Sequence, residues 1–146
     1  MACTSDHKAT LYNLKLLKPM TSFQPHNDLI TSTKFCFSQK MVLTSSLDQT
    51  IKCWDVSNLS SIKVINCYSS CFDMHVSRSE TYIVSGHKDT SIRLWNLKTK
   101  DSVWKISDAH GDPVCCTRIT PNENYIISTS KDNTIKIWDV RKQSLL

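Results

Sequence analysis

The sequence predicts an all-β fold built from repeated units of short strands, and three observations carry the prediction. Trp54, Trp95 and Trp138 recur 41 and 43 residues apart, and Asp48, Asp89 and Asp132 each precede their Trp by six. Runs of β-branched and aromatic residues, such as YIISTS and TIKIW, alternate with polar breakers such as KDN and TPNEN. No segment joins helical length to an amphipathic spacing. A period in the forties marks stacked repeats, in which one unit cannot cover its own apolar faces.

In chain order, TLYNLKLL reads as one outer strand over about 11–18, belonging to a unit whose earlier part is absent. Repeat units follow over about 24–57, 66–98 and 109–141, within one domain spanning 1–146. Laying the second unit on the third puts Tyr82 on Tyr125, Ser85 on Ser128, Asp89 on Asp132 and Ile92 on Ile135. The first unit matches from Thr44 to Trp54, although its preceding turn, SQKM, is shorter. KDN is read as a tight hairpin because Asp and Asn tolerate the required backbone angles, and TPNEN as a turn preset by Pro121. SIKVIN and SVWKI supply a strand after Trp54 and Trp95, whereas Trp138 is followed only by the stub 144–146.

The 146 residues suit one domain. Hydrophobic content of 40% and charged content of 21%, without a long polar tract, argue against disorder. The net charge of +5 is spread along the chain rather than gathered with aromatics into a stripe, so nucleic-acid binding is not expected. Seven cysteines, an odd number placed mostly among strand-like positions, suit reduced thiols buried as small hydrophobes in a cytosolic or nuclear protein, and a cytoplasmic setting is expected. Cys67, Cys71, Cys115 and Cys116 lack the paired CxxC spacing of a zinc site, so no metal is expected. No run has the apolar length of a signal peptide or membrane span. Gly86 and Gly111 fit no phosphate-cradling motif, and no cofactor is expected.

The units resemble WD repeats, a family of β-propeller domains, over about Leu11 to Arg141. The resemblance implies about three four-stranded blades of a larger or partial propeller. It also implies a buried hydrogen-bonded set in each blade: His110, Ser128, Asp132 and Trp138 in the third unit; Ser85, Asp89 and Trp95 in the second; His26, Thr44, Asp48 and Trp54 in the first. Cys67 stands where the second unit would carry its histidine, Asn96 replaces the terminal Asp, and Ala109 and Pro25 replace the Gly before His. These departures rank blade stability as third, first, second. Ser, His and Asp could also compose a hydrolase triad. Recurrence of Ser85 and Asp89 without the histidine favours a brace, and no enzyme is expected. His75 and His87 read as loop or strand-edge residues, and Trp104 as packing an outer strand.

Without a catalytic constellation, recognition of other proteins or peptides by surface loops is the expected function. Tyr68, Lys88, Asp112 and Lys131 are the candidate contacts at the end nearest the buried sets. SSC-x-D, carried by Ser69, Ser70, Cys71 and Asp73, and the unit SGH-x-D-x-x-IR-x-W from Ser85 to Trp95 are similar to the C-terminal propeller of autophagy scaffolds of the sixteen type. That likeness implies a non-enzymatic adaptor directing conjugation of a ubiquitin-like modifier to membrane lipid. WDVR, Trp138 to Arg141, also resembles the WD-x-R motif of cullin-type ubiquitin-ligase substrate receptors, with Arg141 as the adaptor contact. Too few blades to close a ring imply open strand edges, filled by missing blades or by self-association.

Overall fold

The computed structural model describes residues 2–3 as backbone, and 7–13, 15–38, 40–99 and 101–146. Leu14 of the expected outer strand and Gln39 of the SQKM turn lie outside the described residues. Fifteen strands among the described residues form four antiparallel sheets. The first is β1 (Ala2–Cys3), β2 (Ala9–Asn13) and β3 (Lys18–Phe23). The second runs β4 (Ile30–Phe35), β5 (Met41–Ser46), β6 (Thr50–Asp55), β7 (Ser61–Asn66). The third runs β8 (Cys71–Val76), β9 (Tyr82–His87), β10 (Ile92–Asn96), β11 (Ser102–Ile106). The fourth runs β12 (Val114–Ile119), β13 (Tyr125–Ser130), β14 (Ile135–Asp139), β15 (Ser144–Leu145). Each sheet meanders in chain order, the arrangement of a partial, open propeller.

Local chemistry repeats with the strands. Gln49, Thr90 and Asn133 each follow the hairpin Asp and adopt φ of 67°, 63° and 63°. The Asp side chain stabilises that left-handed residue by bonding beyond it. Asp48 Oδ1 accepts from Thr50 N at 3.0 Å and Thr50 Oγ1 at 2.6 Å. Asp132 Oδ1 accepts from Thr134 N at 2.9 Å and Thr134 Oγ1 at 2.7 Å.

The expected single strand over 11–18 is instead a hairpin. β2 pairs with β3 from Ala9↔Phe23 to Asn13↔Lys18. Asn13 Oδ1 accepts from Lys15 N and Leu16 N at 2.9 and 3.1 Å, and Leu17 has φ of 50°. The same side-chain turn forms at Asp139, which accepts from Arg141 N and Lys142 N, and at Asn96, which accepts from Lys98 N and Thr99 N. Tyr12–Asn13 therefore occupies the register of Trp54–Asp55 in a preceding blade, of which the second, third and fourth strands are described. At the other end, β15 pairs only Ser144 with Asp139 and Leu145 with Trp138.

The sheets stack face to face. Leu43, Ile51 and Cys53 of the second pack with Met74, Ile83 and Trp95 of the third. Val84, Ile92 and Leu94 of the third pack in turn with Val114, Ile126 and Trp138 of the fourth. Phe23 meets Trp54 edge-on at 5.2 Å between ring centroids, joining the first sheet to the second. Gly86 permits a close approach of the third and fourth sheets: a Cβ there would lie 2.7 Å from Val114 Cγ1 and 3.0 Å from Thr117 Cγ2. Among the described residues the fourth sheet has no neighbour on its outer face. Ile127, Ile135 and Ile137 occupy the positions of Val84, Ile92 and Leu94, yet are exposed.

Candidate functional site

Each complete sheet holds a buried polar set between its second and third strands. In the second sheet the Trp54 indole donates to Thr44 Oγ1 at 3.0 Å, His26 Nε2 lies 2.7 Å from that oxygen, and His26 Nδ1 lies 2.8 Å from Asp48 Oδ2. With Nδ1–H donating to the carboxylate, Nε2 accepts the threonine proton, and every member has a partner. The fourth sheet repeats this. Trp138 Nε1 donates to Ser128 Oγ at 2.9 Å, His110 Nε2 is 2.8 Å from that oxygen, and His110 Nδ1 is 3.0 Å from Asp132 Oδ2.

Burial lowers the pKa of His26, more than its bond to Asp48 raises it. Desolvation raises that of Asp48, but bonds from Thr50 and His26 override it and leave the carboxyl below its usual range. Ser128 is fully buried, with its hydroxyl committed to indole and imidazole. It braces the sheet, since a nucleophile would have to face a substrate.

The third sheet solves the absence of a histidine at Cys67 differently, and corrects the reading of His87 as a loop or strand-edge residue. His87 is fully buried, with Nε2 2.7 Å from Ser85 Oγ, the oxygen that also accepts from Trp95 Nε1 at 2.8 Å. Its Nδ1–H donates to Ser69 O at 3.3 Å. The imidazole thus enters from the second strand, two residues beyond the serine. Its pKa is pushed down to about 3, first by burial and then by the Arg93 guanidinium. Asp89 meets no imidazole. It accepts from Ser91 Oγ at 2.6 Å and pairs with buried Arg93, which also donates to Cys67 O. Lys52 and Lys136 stand at the same register and donate to Pro25 O and Ala109 O at 2.9 and 2.7 Å.

These bonds hold the surface loop at 68–70. Cys67 N donates to Gln49 O at 2.8 Å, Lys88 N to Ser70 O at 2.9 Å, Asp89 N to Ser69 Oγ at 3.2 Å, and Ser70 Oγ to Leu47 O at 3.0 Å. Tyr68 is left 84% exposed, with φ of 58°. An aromatic residue in the left-handed region is uncommon, and the surrounding bonds hold it there. Lys88, Asp112 and Lys131 are exposed at this same end of the strands. Lys131 N donates to Pro113 O, and Ser130 Oγ to Asp112 O.

Arg141 lies apart from them, in the turn between β14 and β15 at the opposite end. There it lines a cavity of about 300 Å³ with Tyr82, Trp104 and Glu123. Trp104 packs in the core between the third and fourth sheets. Cys36, Cys53, Cys67 and Cys71 are buried thiols outside any disulfide, while Cys115 is exposed. Among the described residues no group of three or more His, Cys, Asp and Glu side chains could hold a metal ion, and no helix is long and apolar enough to cross a membrane.

Comparison with known proteins matches residues 17–55, 59–96 and 101–139 to the WD domain, G-beta repeat. Protein tipD of Dictyostelium discoideum is 33% identical over 111 residues, covering 75% of this chain and 18% of its own length. Mitochondrial division protein 1 of Schizosaccharomyces pombe is 37% identical over 78 residues, covering 51% of this chain and 11% of its own. Autophagy-related protein 16 of Arabidopsis thaliana is 24% identical over 123 residues, covering 84% of this chain and 24% of its own. The chain therefore spans a quarter or less of these relatives.

Proposed function

Because the chain belongs to the WD domain, G-beta repeat family, we propose that it is a protein-interaction scaffold that recognises a partner peptide at the loop end around Tyr68. The observation that carries this reading is a fully presented aromatic ring on a loop tied down at Cys67, Ser69 and Ser70. A rigid aromatic anchor gains contact area at little entropic cost, which is why such residues dominate binding energy. Lys88, Lys131 and Asp112, exposed at the same end of the strands, add charge of both signs and select among partners rather than supply most of the affinity.

The likeness to Autophagy-related protein 16, together with the SSC-x-D and SGH-x-D segments, supports an adaptor role in autophagy, and the free thiols support a reducing, cytoplasmic setting. Co-purification from cells tests the reading. The chain should recover a conjugation complex of that pathway, and Tyr68→Ala should lose it while unfolding at an unchanged temperature. Equal recovery by the parent and Tyr68→Ala would contradict the assigned surface. Recovery of a cullin adaptor that Arg141→Ala abolishes would favour the ubiquitin-ligase alternative.

A further inference from the structure

The first strands of the second, third and fourth sheets, β4, β8 and β12, are the innermost, β8 lying against both of the others, and they carry one position that the buried braces do not use. Lys34 on β4 pairs across to Leu43, His75 on β8 to Val84, and Arg118 on β12 to Ile127. Each of those partners immediately precedes the buried hydroxyl residue of its second strand, Thr44, Ser85 or Ser128. The three nitrogen-bearing side chains therefore share one register in three successive sheets. The strands that carry them are joined at close range: Thr31 Oγ1 donates to Cys71 O at 2.7 Å between β4 and β8, and Thr117 N to Asp73 Oδ2 at 3.1 Å between β8 and β12.

The donors left over at this register set its chemistry. Arg118 Nη1 donates to Asp73 Oδ2 and to Thr117 O, both at 2.6 Å, which leaves the rest of a half-exposed guanidinium unengaged among the described residues. Asp73 faces the row: its Oδ2 accepts from Thr117 N and Arg118, and its charge also acts on His75, against the stronger effects of burial, Arg118 and Lys34. His75 Nδ1 accepts from Ile119 N at 3.4 Å, so the neutral ring carries its proton on Nε2. Burial and then the nearby charges of Arg118 and Lys34 lower the pKa of His75, so the three groups lie within electrostatic reach of one another. Lys34 is partly exposed, and its ammonium has no hydrogen-bond or ion-pair partner among the described residues.

We infer that Lys34, His75 and Arg118 form an anion-binding row for the carboxylates of an acidic peptide lying across the innermost strands. Donors spread over three strands suit several carboxylates in succession, whereas one compact phosphate meets donors that converge on a point. The excess of basic residues over the whole chain draws such a segment in. The site extends the reading of this chain as an interaction scaffold but uses a different surface from Tyr68, so either can fail alone.

Fluorescence anisotropy of a labelled peptide alternating Glu and Ser, titrated with the full chain, tests it. Lys34→Glu should weaken binding by on the order of tenfold. It should leave the unfolding temperature nearly unchanged, because Lys34 makes no hydrogen bond or ion pair among the described residues. Lys142→Glu, the same charge change in the β14–β15 turn, and Tyr68→Ala should bind as the parent does. Absence of binding, equal weakening by Lys142→Glu, or displacement of the peptide by an equal concentration of inorganic phosphate would overturn the proposal.

Discussion

His87 Nε2 lies 2.7 Å from Ser85 Oγ, two residues away on the same strand, and the Trp95 indole donates to that same oxygen at 2.8 Å. In the neighbouring sheets the equivalent oxygens of Thr44 and Ser128 receive an imidazole from a loop 18 residues upstream. Two routes thus satisfy the same indole and hydroxyl. What the fold requires is a buried partner for the Trp N–H and for the hydroxyl that accepts it, not a histidine at one position.

Ser85→Ala should strand both the Trp95 N–H and His87 Nε2. The expected loss is about 1–3 kcal/mol for each unsatisfied group, read from urea unfolding. Ser130→Ala, which removes a hydroxyl that donates to Asp112 O at the exposed surface and accepts from Asp132 N in the hairpin turn, should cost distinctly less. Equal losses would remove the distinction between brace and surface.

Acid should weaken the fold in a defined window. An unfolded histidine titrates near 6.5, whereas His87 in the folded chain is pushed down to about 3 and His26 is also lowered. The unfolded state therefore binds more protons below pH 6.5. The stabilisation is full above that value and is lost as pH falls towards 3, with a slope approaching about 1.4 kcal/mol per pH unit from His87 alone. Unfolding free energies at pH 7.5, 6 and 5 check this, and His87→Gln should flatten the decline. A parent profile level across that range would contradict the assignment.

Gly86→Ala should destabilise by about 1–3 kcal/mol through overpacking, because its new methyl would meet Val114 at 2.7 Å. Gly111→Ala, whose nearest contact would be an ordinary 3.7 Å, should be close to neutral. Val114→Ala in the Gly86→Ala background should recover part of the loss. Thermal unfolding of the four chains measures it.

The open face of the fourth sheet separates burial from sequence. Leu94→Ala should cost about 2–5 kcal/mol as a core truncation. Ile137→Ala, at the same repeat position but 43% exposed, should cost about 1 kcal/mol or less. Ile135, 72% exposed on that face, offers apolar surface to another sheet. Ile135→Lys should reduce any concentration-dependent increase in mass measured by analytical ultracentrifugation.

Much of this architecture was readable in the chain. The spacing of Asp to Trp placed the hairpins of the three repeats, because an Asp that closes a turn and a Trp that needs a buried acceptor constrain the strand between them. Tyr12–Asn13 was harder to see, since neither residue is Trp or Asp, although Asn13 closes its turn as Asp139 does. The hydroxyls of Thr50, Ser91 and Thr134 carried a signal in DQT, DTS and DNT, each two residues beyond the hairpin Asp. His87 could not be placed from spacing. Its role depends on Ser69 O lying beside β9, a contact made by a loop 18 residues away. The faces of the fourth sheet were likewise not separable, because Ile127, Ile135 and Ile137 have the composition of a covered strand.

Hydrogen exchange of the indole protons, followed by NMR, tests most directly whether the repeated hydroxyls hold the sheets together. Trp54, Trp95 and Trp138 should exchange slowly, near the rate set by global unfolding, and Ser85→Ala should release Trp95 while Trp54 and Trp138 stay protected. Fast exchange of all three indoles in the parent, or an unchanged Trp95 in Ser85→Ala, would contradict it.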